Sequence, residues 1–136
     1  ESAPEKSKTS APHVAMALDS FTSINGRSYV RALSGGTITL NSTIYLGANR
    51  TIDGRGSGIT ITNHGITMGG NWGASNDIVA GITIRDVNNS GEDNISIYGV
   101  DNIWINHVSL SGWNSDGLLE IQLYRHQNGL PPIQLE

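Results

Sequence analysis

The sequence predicts an all-β fold: a solenoid of short strands stacked coil upon coil, with a short helix ahead of it and a tail at each end. Three observations carry that reading. From Gly35 to Ile121 the chain is a succession of short runs rich in Ile, Thr and Val, each bounded by Gly, Asn, Asp or Ser. Within the runs apolar and polar residues alternate with period two, as strands require. The runs also return at a nearly constant interval, which is the mark of a repeat architecture.

Composition narrows the options further. A chain of 136 residues is one domain at most, able to bury roughly two-thirds of its unfolded surface. No apolar run approaches the ~20 residues of a membrane-spanning helix, so no membrane partner is expected. A net charge of −4, with both lysines (Lys6 and Lys8) near the N-terminus, argues against nucleic acid, whose phosphates need a basic patch. The absence of cysteine removes disulfides and thiolate metal sites and leaves the redox compartment open. Seventeen glycines and a single Phe fit many tight turns between short strands.

Taken in order, residues 1–12 (ESAPEKSKTSAP) are polar, charged and Pro-containing, and read as a disordered tail. Residues 13–21 (HVAMALDSF) place Val14, Met16, Ala17, Leu18 and Phe21 at helical spacing, a short amphipathic helix. Residues 20–34 are ambiguous, and Tyr29–Leu33 fits a helical turn or a strand. Then follow GTITL (36–40), TIYL (43–46), TID (51–53), ITIT (59–62), ITM (66–68), GITIRDV (81–87), ISI (95–97), NIWINHV (102–108) and LLEI (118–121). The solenoid is assigned to 13–121, helix included, and 122–136 to a divergent C-terminal tail.

The intervals give the geometry. Ile38, Ile61 and Ile84 are equally spaced along the chain, and Ile105 follows after a slightly shorter step. Ile44 and Ile66 repeat nearly the same interval. The step from Ile66 to Ile95 is longer and holds the Gly-rich GGNWGASND, expected to bulge as a loop. One coil cannot bury its own Ile row. Coils stacked about 4.8 Å apart line Ile38, Ile61, Ile84 and Ile105 into one interior ladder. An antiparallel sandwich of short strands suits the composition but leaves the constant interval unexplained.

The same interval separates two acids. Asp93 opens the ISI run and Asp116 opens the LLEI run, a full repeat later, with Glu120 close by. Acids in one row of adjacent coils sit about 5 Å apart and repel one another at neutral pH. A divalent cation relieves that repulsion, and calcium, which takes six to eight oxygens, suits carboxylates. Asp116 and Glu120 are harder to reconcile, because the strand between them spans about 13 Å. A bend at Gly117 is needed for one ion to serve both. The plainer alternative is that these acids cap turns.

Five segments together, TIDGRGSGITIT (51–62), GITIRDV (81–87), DNISI (93–97), NIWINHVSLS (102–111) and DGLLEI (116–121), resemble in order the motifs of pectate lyase family 1. The resemblance spans Gly35 to Ile121. It implies a right-handed, single-stranded parallel β-helix with a cleft on one sheet for polygalacturonate, cleaved by calcium-dependent β-elimination with an arginine as base. It also implies that Asp93, Asp116 and Glu120 are the Ca²⁺ ligands, that the partner is an acidic polysaccharide such as polygalacturonate or pectin, and that the protein is extracellular. Where the family has His and Asp the chain has His107 and Asn106, so any role needing the charge at Asn106 is lost. The family's catalytic arginine lies well beyond the second calcium acid, and Arg125 is too near to match it. The chain therefore reads as the N-terminal coils of such a helix joined to a foreign tail in which Pro131 and Pro132 interrupt strand pairing. The catalytic residue is unassigned, and an uncapped solenoid end invites self-association.

Other residues read as structural. Trp104 is expected to pack in or against the solenoid, and Trp72 to sit on a loop with a sugar-stacking role no better supported than none. Asn88, Asn89, Asn94, Asn102 and Asn106 fall near turns, as stacked Asn rows do in solenoids. GRGSG (54–58) is no phosphate loop, since a strand follows it and no GK[ST] occurs. His13, His64 and His126 show no metal-ligand spacing. Two functions remain: a pectate-lyase-type polysaccharide lyase, incomplete in this chain, or a non-catalytic calcium-stabilised solenoid that binds pectin. Ice binding by Thr37/Thr39 and Thr60/Thr62 is weaker, because Thr83/Arg85 and Trp104/Asn106 break the row. Galacturonan hydrolysis needs paired catalytic aspartates, and no Asp-Asp pair occurs.

Overall fold

The structure, a computed structural model, describes residues 22–24, 27–70, 75–113 and 117–122. The tail over 1–12, the helix expected at 13–21, Trp72, Asp116 and residues 123–136 lie outside it, as do His13, Arg125 and His126. The described chain is an all-β parallel solenoid of four coils, each contributing one strand to each of three sheets. The first coil is β2 (Arg27–Arg31), β3 (Gly36–Thr39) and β4 (Ile44–Leu46). The second is β5 (Arg50–Asp53), β6 (Ile59–Asn63) and β7 (Ile66–Gly69). The third is β8 (Asp77–Ala80), β9 (Thr83–Val87) and β10 (Ile95–Tyr98), and the fourth is β11 (Ile103–Asn106), β12 (Ser109–Trp113) and β13 (Leu119–Gln122). The ambiguous stretch before Gly35 is strand: β1 (Thr22–Ile24) pairs antiparallel with β2 at the edge of the first sheet.

Three inner rows form the core. Val30, Ile52, Val79 and Ile105 run along the first sheet. Ile38, Ile61 and Ile84 run along the second, and Ile44, Ile66 and Ile95 along the third. Apart from Ile105, all of these are buried. The ladder expected from the sequence holds for Ile38, Ile61 and Ile84, but its fourth member is Leu110 and not Ile105. The cause is the connection 88–94, which lengthens the third coil so that a step of the expected size from Ile84 lands on β11, one strand early. The same shift corrects the outer face of the second sheet. Ser109 and Ser111, not Trp104 and Asn106, continue the rows of Thr83 and Arg85. Among the described residues no coil covers β11 to β13, and the inner positions Leu119 and Ile121 are 48% and 60% exposed.

Turns are fixed by residues that tolerate left-handed backbone. Asn49, Asn76 and Asn102 all have positive φ (60°, 57° and 57°) at the corner leading into the first sheet. They stack across coils, Asn76 Nδ2 donating to Asn49 Oδ1 at 3.3 Å and Asn102 Nδ2 to Asn76 Oδ1 at 3.0 Å. Of the asparagines picked out in the sequence, only Asn102 belongs to this ladder. At the corner before β7 the coils approach so closely that only glycine fits, since a Cβ on Gly65 would lie 2.1 Å from the Asp93 carbonyl oxygen. Gly65→Ala is expected to lower stability by about 1–3 kcal/mol, read from a urea denaturation midpoint.

Asp53, almost fully buried at the end of β5, is held by Arg55 and Tyr29. Arg55 Nε donates to Oδ1 and Nη2 to Oδ2, each at 2.9 Å, and Tyr29 O–H donates to Oδ2 at 2.8 Å. The Arg55 guanidinium, against the opposing effect of burial and with help from the Arg55 amide and Tyr29, holds the Asp53 carboxyl well below the usual carboxylate range. A depressed carboxyl stabilises the fold fully above the unfolded-state value and loses that contribution as pH falls. Stability is therefore expected to decline below about pH 4, and this part of the decline should shrink in Asp53→Asn when melting temperature is followed against pH.

Candidate metal centre

Period-two alternation places the candidate site on the outer face of the third sheet. In β10, Ile95 and Ile97 point inward, which turns Ser96 and Tyr98 outward; in β13 the outward pair is Glu120 and Gln122. The register sets Ser96 opposite Glu120 and Tyr98 opposite Gln122. Asp93 lies just before β10 and is buried.

These placements bring two of the three expected acids together. Tyr98 O–H donates to Glu120 Oε2 at 2.9 Å, and Gln122 Nε2 donates to Glu120 Oε1. The Gln122 amide first, then the Tyr98 hydroxyl, hold the Glu120 carboxyl below its ordinary range, with burial opposing and a hydrogen bond with the Asp93 carboxyl adding to the shift. The Tyr98 hydroxyl is pushed up. Its hydrogen bond with Ser96 works downward, but burial, the bond to Glu120 and the charges of Glu120 and Asp93 outweigh it. Asp116, the third acid, lies outside the described residues. The register pairs Ile95 with Leu119, so Gly117 rather than Asp116 falls level with Asp93. A Cβ on Gly117 would in fact sit 2.8 Å from Asp93 Oδ1.

The connection that carries Asp93 is tied down on both sides. Glu92 accepts from Thr43 Oγ1 and lies 3.1 Å from His64 Nδ1, while Asn89 Nδ2 donates to the Asn63 carbonyl at 2.7 Å. The Asn94 side chain, fully buried, donates to the carbonyls of Ile84 at 2.7 Å and Ser111 at 3.1 Å. His64 and Glu92 are far apart in the chain, and sequence spacing alone gives no sign of their contact. Trp104 corrects an expectation: it is 63% exposed on the outer face of the first sheet, because Ile103 and Ile105 take the inward positions of β11.

The donors at this site are all oxygen and include two carboxyls in contact, a set that fits a hard divalent cation and not a soft one. Among the described residues no three His, Cys, Asp or Glu side chains group as a metal site. The strands of the third sheet, β4, β7, β10 and β13, carry no Lys, Arg or His. Among the described residues no helix is long and apolar enough to cross a membrane.

Comparison with known proteins gives the same direction. Pectate lyase 1 of Ambrosia artemisiifolia is 36% identical over 104 residues, covering 63% of this chain and 25% of that protein. A pectate lyase 1 of Chamaecyparis obtusa is 35% identical over 104 residues, covering 63% and 28%. A probable pectin lyase F-2 of Aspergillus terreus is 42% identical over 69 residues, covering 48% and 14%. The chain is pectate-lyase-like. It spans about a quarter of the length of the pectate lyases it matches, and no protein-family model matches it.

In this pectate-lyase-like solenoid the contact between Asp93 and Glu120 depends on the missing side chain at Gly117. Gly117→Ala is expected to push the Asp93 carboxyl aside and so shift the Glu120 titration midpoint. Carboxyl-carbon NMR across a pH series reads it, and an unmoved midpoint would mean that the two groups are not coupled.

Proposed function

We propose that this chain carries the calcium-binding part of a pectate-lyase-type site, acting on an acidic polysaccharide of the polygalacturonate or pectin class outside the cell. The observation that carries the reading is Glu120 held on the outward face of β13 by Tyr98 and Gln122, with Asp93 at the corner just before β10, its Oδ1 close to Gly117. Two carboxyls side by side repel when both are ionised, and a cation between them removes that cost. Asp93, Asp116 and Glu120 would hold Ca²⁺, with waters or carbonyls completing its six to eight oxygens. The chemistry such a bound cation would supply is charge neutralisation of a uronate carboxylate, which would make the neighbouring C–H easier to deprotonate.

The chain's own residues supply binding and orientation. Asp93 is shielded from solvent, which strengthens its attraction for a cation. Glu120 lies on the outward face, within reach of a long polysaccharide. The base of a β-elimination is unassigned, and the sheet face that carries the acids offers no Lys, Arg or His. That same feature favours a second reading, in which the chain binds pectin through calcium without cleaving it.

Calorimetry with Ca²⁺ tests the ligand set. Outer-shell partners cost about 10–100-fold in metal affinity, so Asp93→Ala, Asp116→Ala and Glu120→Ala should each lose at least that much. Unchanged affinity in Asp116→Ala would remove it from the site. Incubation with polygalacturonate and Ca²⁺ at alkaline pH separates the two readings. Rising absorbance from unsaturated uronates marks a lyase, and binding without that rise marks a pectin-binding solenoid.

A further inference from the structure

Asp53 and Glu120 are each held by two side chains, and the donors differ in kind. Asp53 is gripped by the Arg55 guanidinium, whose positive charge cancels its own. Glu120 is gripped by a phenol and an amide: Tyr98 O–H donates to Oε2 at 2.9 Å and Gln122 Nε2 donates to Oε1. Neutral donors orient a carboxylate without consuming its charge. An arginine-paired carboxylate has little attraction left for a cation, whereas one held by Tyr and Gln keeps all of it.

Orientation has value here. A glutamate on an open strand face has several rotamers, and ordering it on binding costs entropy that a preset side chain does not lose. An ionised carboxylate offers about four acceptor positions, so donors on both oxygens still leave room for a cation. The donors come from adjacent coils, Tyr98 on β10 and Gln122 on β13. The parallel register sets Tyr98 level with Gln122, one outward pair beyond Ser96 and Glu120. The Tyr98 half of the clamp is a product of coil stacking, and the Gln122 half comes from two residues further along β13 itself.

We propose that Tyr98 and Gln122 are positioning residues that fix the Glu120 carboxylate for cation binding while leaving its charge available. The proposal rests on the calcium reading above. Calorimetry with Ca²⁺ on the full chain, paired with the melting temperature of the metal-free protein, tests it. Tyr98→Phe and Gln122→Ala should each weaken Ca²⁺ affinity by about tenfold or more, while the metal-free melting temperature stays at the wild-type value. Titrating wild type with Ca²⁺ should also perturb the near-ultraviolet absorption of a tyrosine, and Tyr98→Phe should lose that signal. Unchanged affinity in both variants would overturn the clamp, as would a loss of affinity matched by a fall in metal-free stability. If wild type itself binds no Ca²⁺, the calcium reading fails along with the clamp, and that failure shows before any variant is made.

Discussion

Everything in this molecule depends on the parallel, in-register stacking of one coil on the next. A single coil is three short strands with an Ile or Val row that it cannot cover. Stacking covers it, and Ile38, Ile61 and Ile84, all nearly inaccessible, show how complete the covering is in the middle of the molecule. The backbone pairs along the same direction, so each residue's position fixes what lies directly above and below it. Gly65 and Asn94 mark how tight this is: the amide of Ile66 donates to the Asn94 carbonyl at 3.0 Å, and a methyl group at position 65 has no space.

The outer faces inherit that order. A row that buries Ile on the inside sets a row of side chains about 4.8 Å apart on the outside, whatever their chemistry. On the second sheet this gives Thr37, Thr60, Thr83 and Ser109, which tolerate one another easily. On the third it sets Ser96 opposite Glu120, and the corner before β10 adds Asp93 beside them; as ions the two acids repel each other. Hydrophobic stacking of Ile66, Ile95 and Leu119 thus enforces an electrostatic contact that the two acids alone would avoid. A solenoid can hold a charged pair in this way because the cohesion lies on the opposite face of the same strands.

Much of this is legible in the residues, and the failures have physical causes. The short β-branched runs, their alternation and their constant interval identify the solenoid and the first three members of its ladder. Spacing pairs Asp93 with Asp116, which lies outside the described residues, and only the family motif points to Glu120. What spacing does not give is the length of each connection. Residues 88–94 displace the register of the second sheet, so Leu110 takes the place expected for Ile105; the step from Ile95 to Leu119 in the next coil is slightly longer than the Ile interval, so Gly117 comes level with Asp93. Trp104 is misread because size and apolarity suggest burial, while its neighbours Ile103 and Ile105 leave it only the outward direction. The Asn49–Asn76–Asn102 ladder is visible in the sequence only in its last member, because its steps are longer than the interval that the Ile rows set. The contacts of His64 with Glu92 and of Tyr98 with Glu120 join distant parts of the chain, and only a known register pairs them.

The connection that spoils the interval is also the one that carries Asp93, and this follows from the geometry of a solenoid. Residues inside a strand are committed to the stack, alternating between core and surface at fixed spacing. A group that must sit at another height or angle has to come from a corner. Residues 88–94 leave β9 after Val87, reach back to His64, Asn63 and Thr43 on the earlier coils, and return at Ile95 in full register with Ile66. The buried Asn94 amide closes the corner against the Ile84 and Ser111 carbonyls. An inserted loop held by that many bonds behaves as part of the framework, so Asp93 is presented to Glu120 by a rigid corner and not by a mobile one.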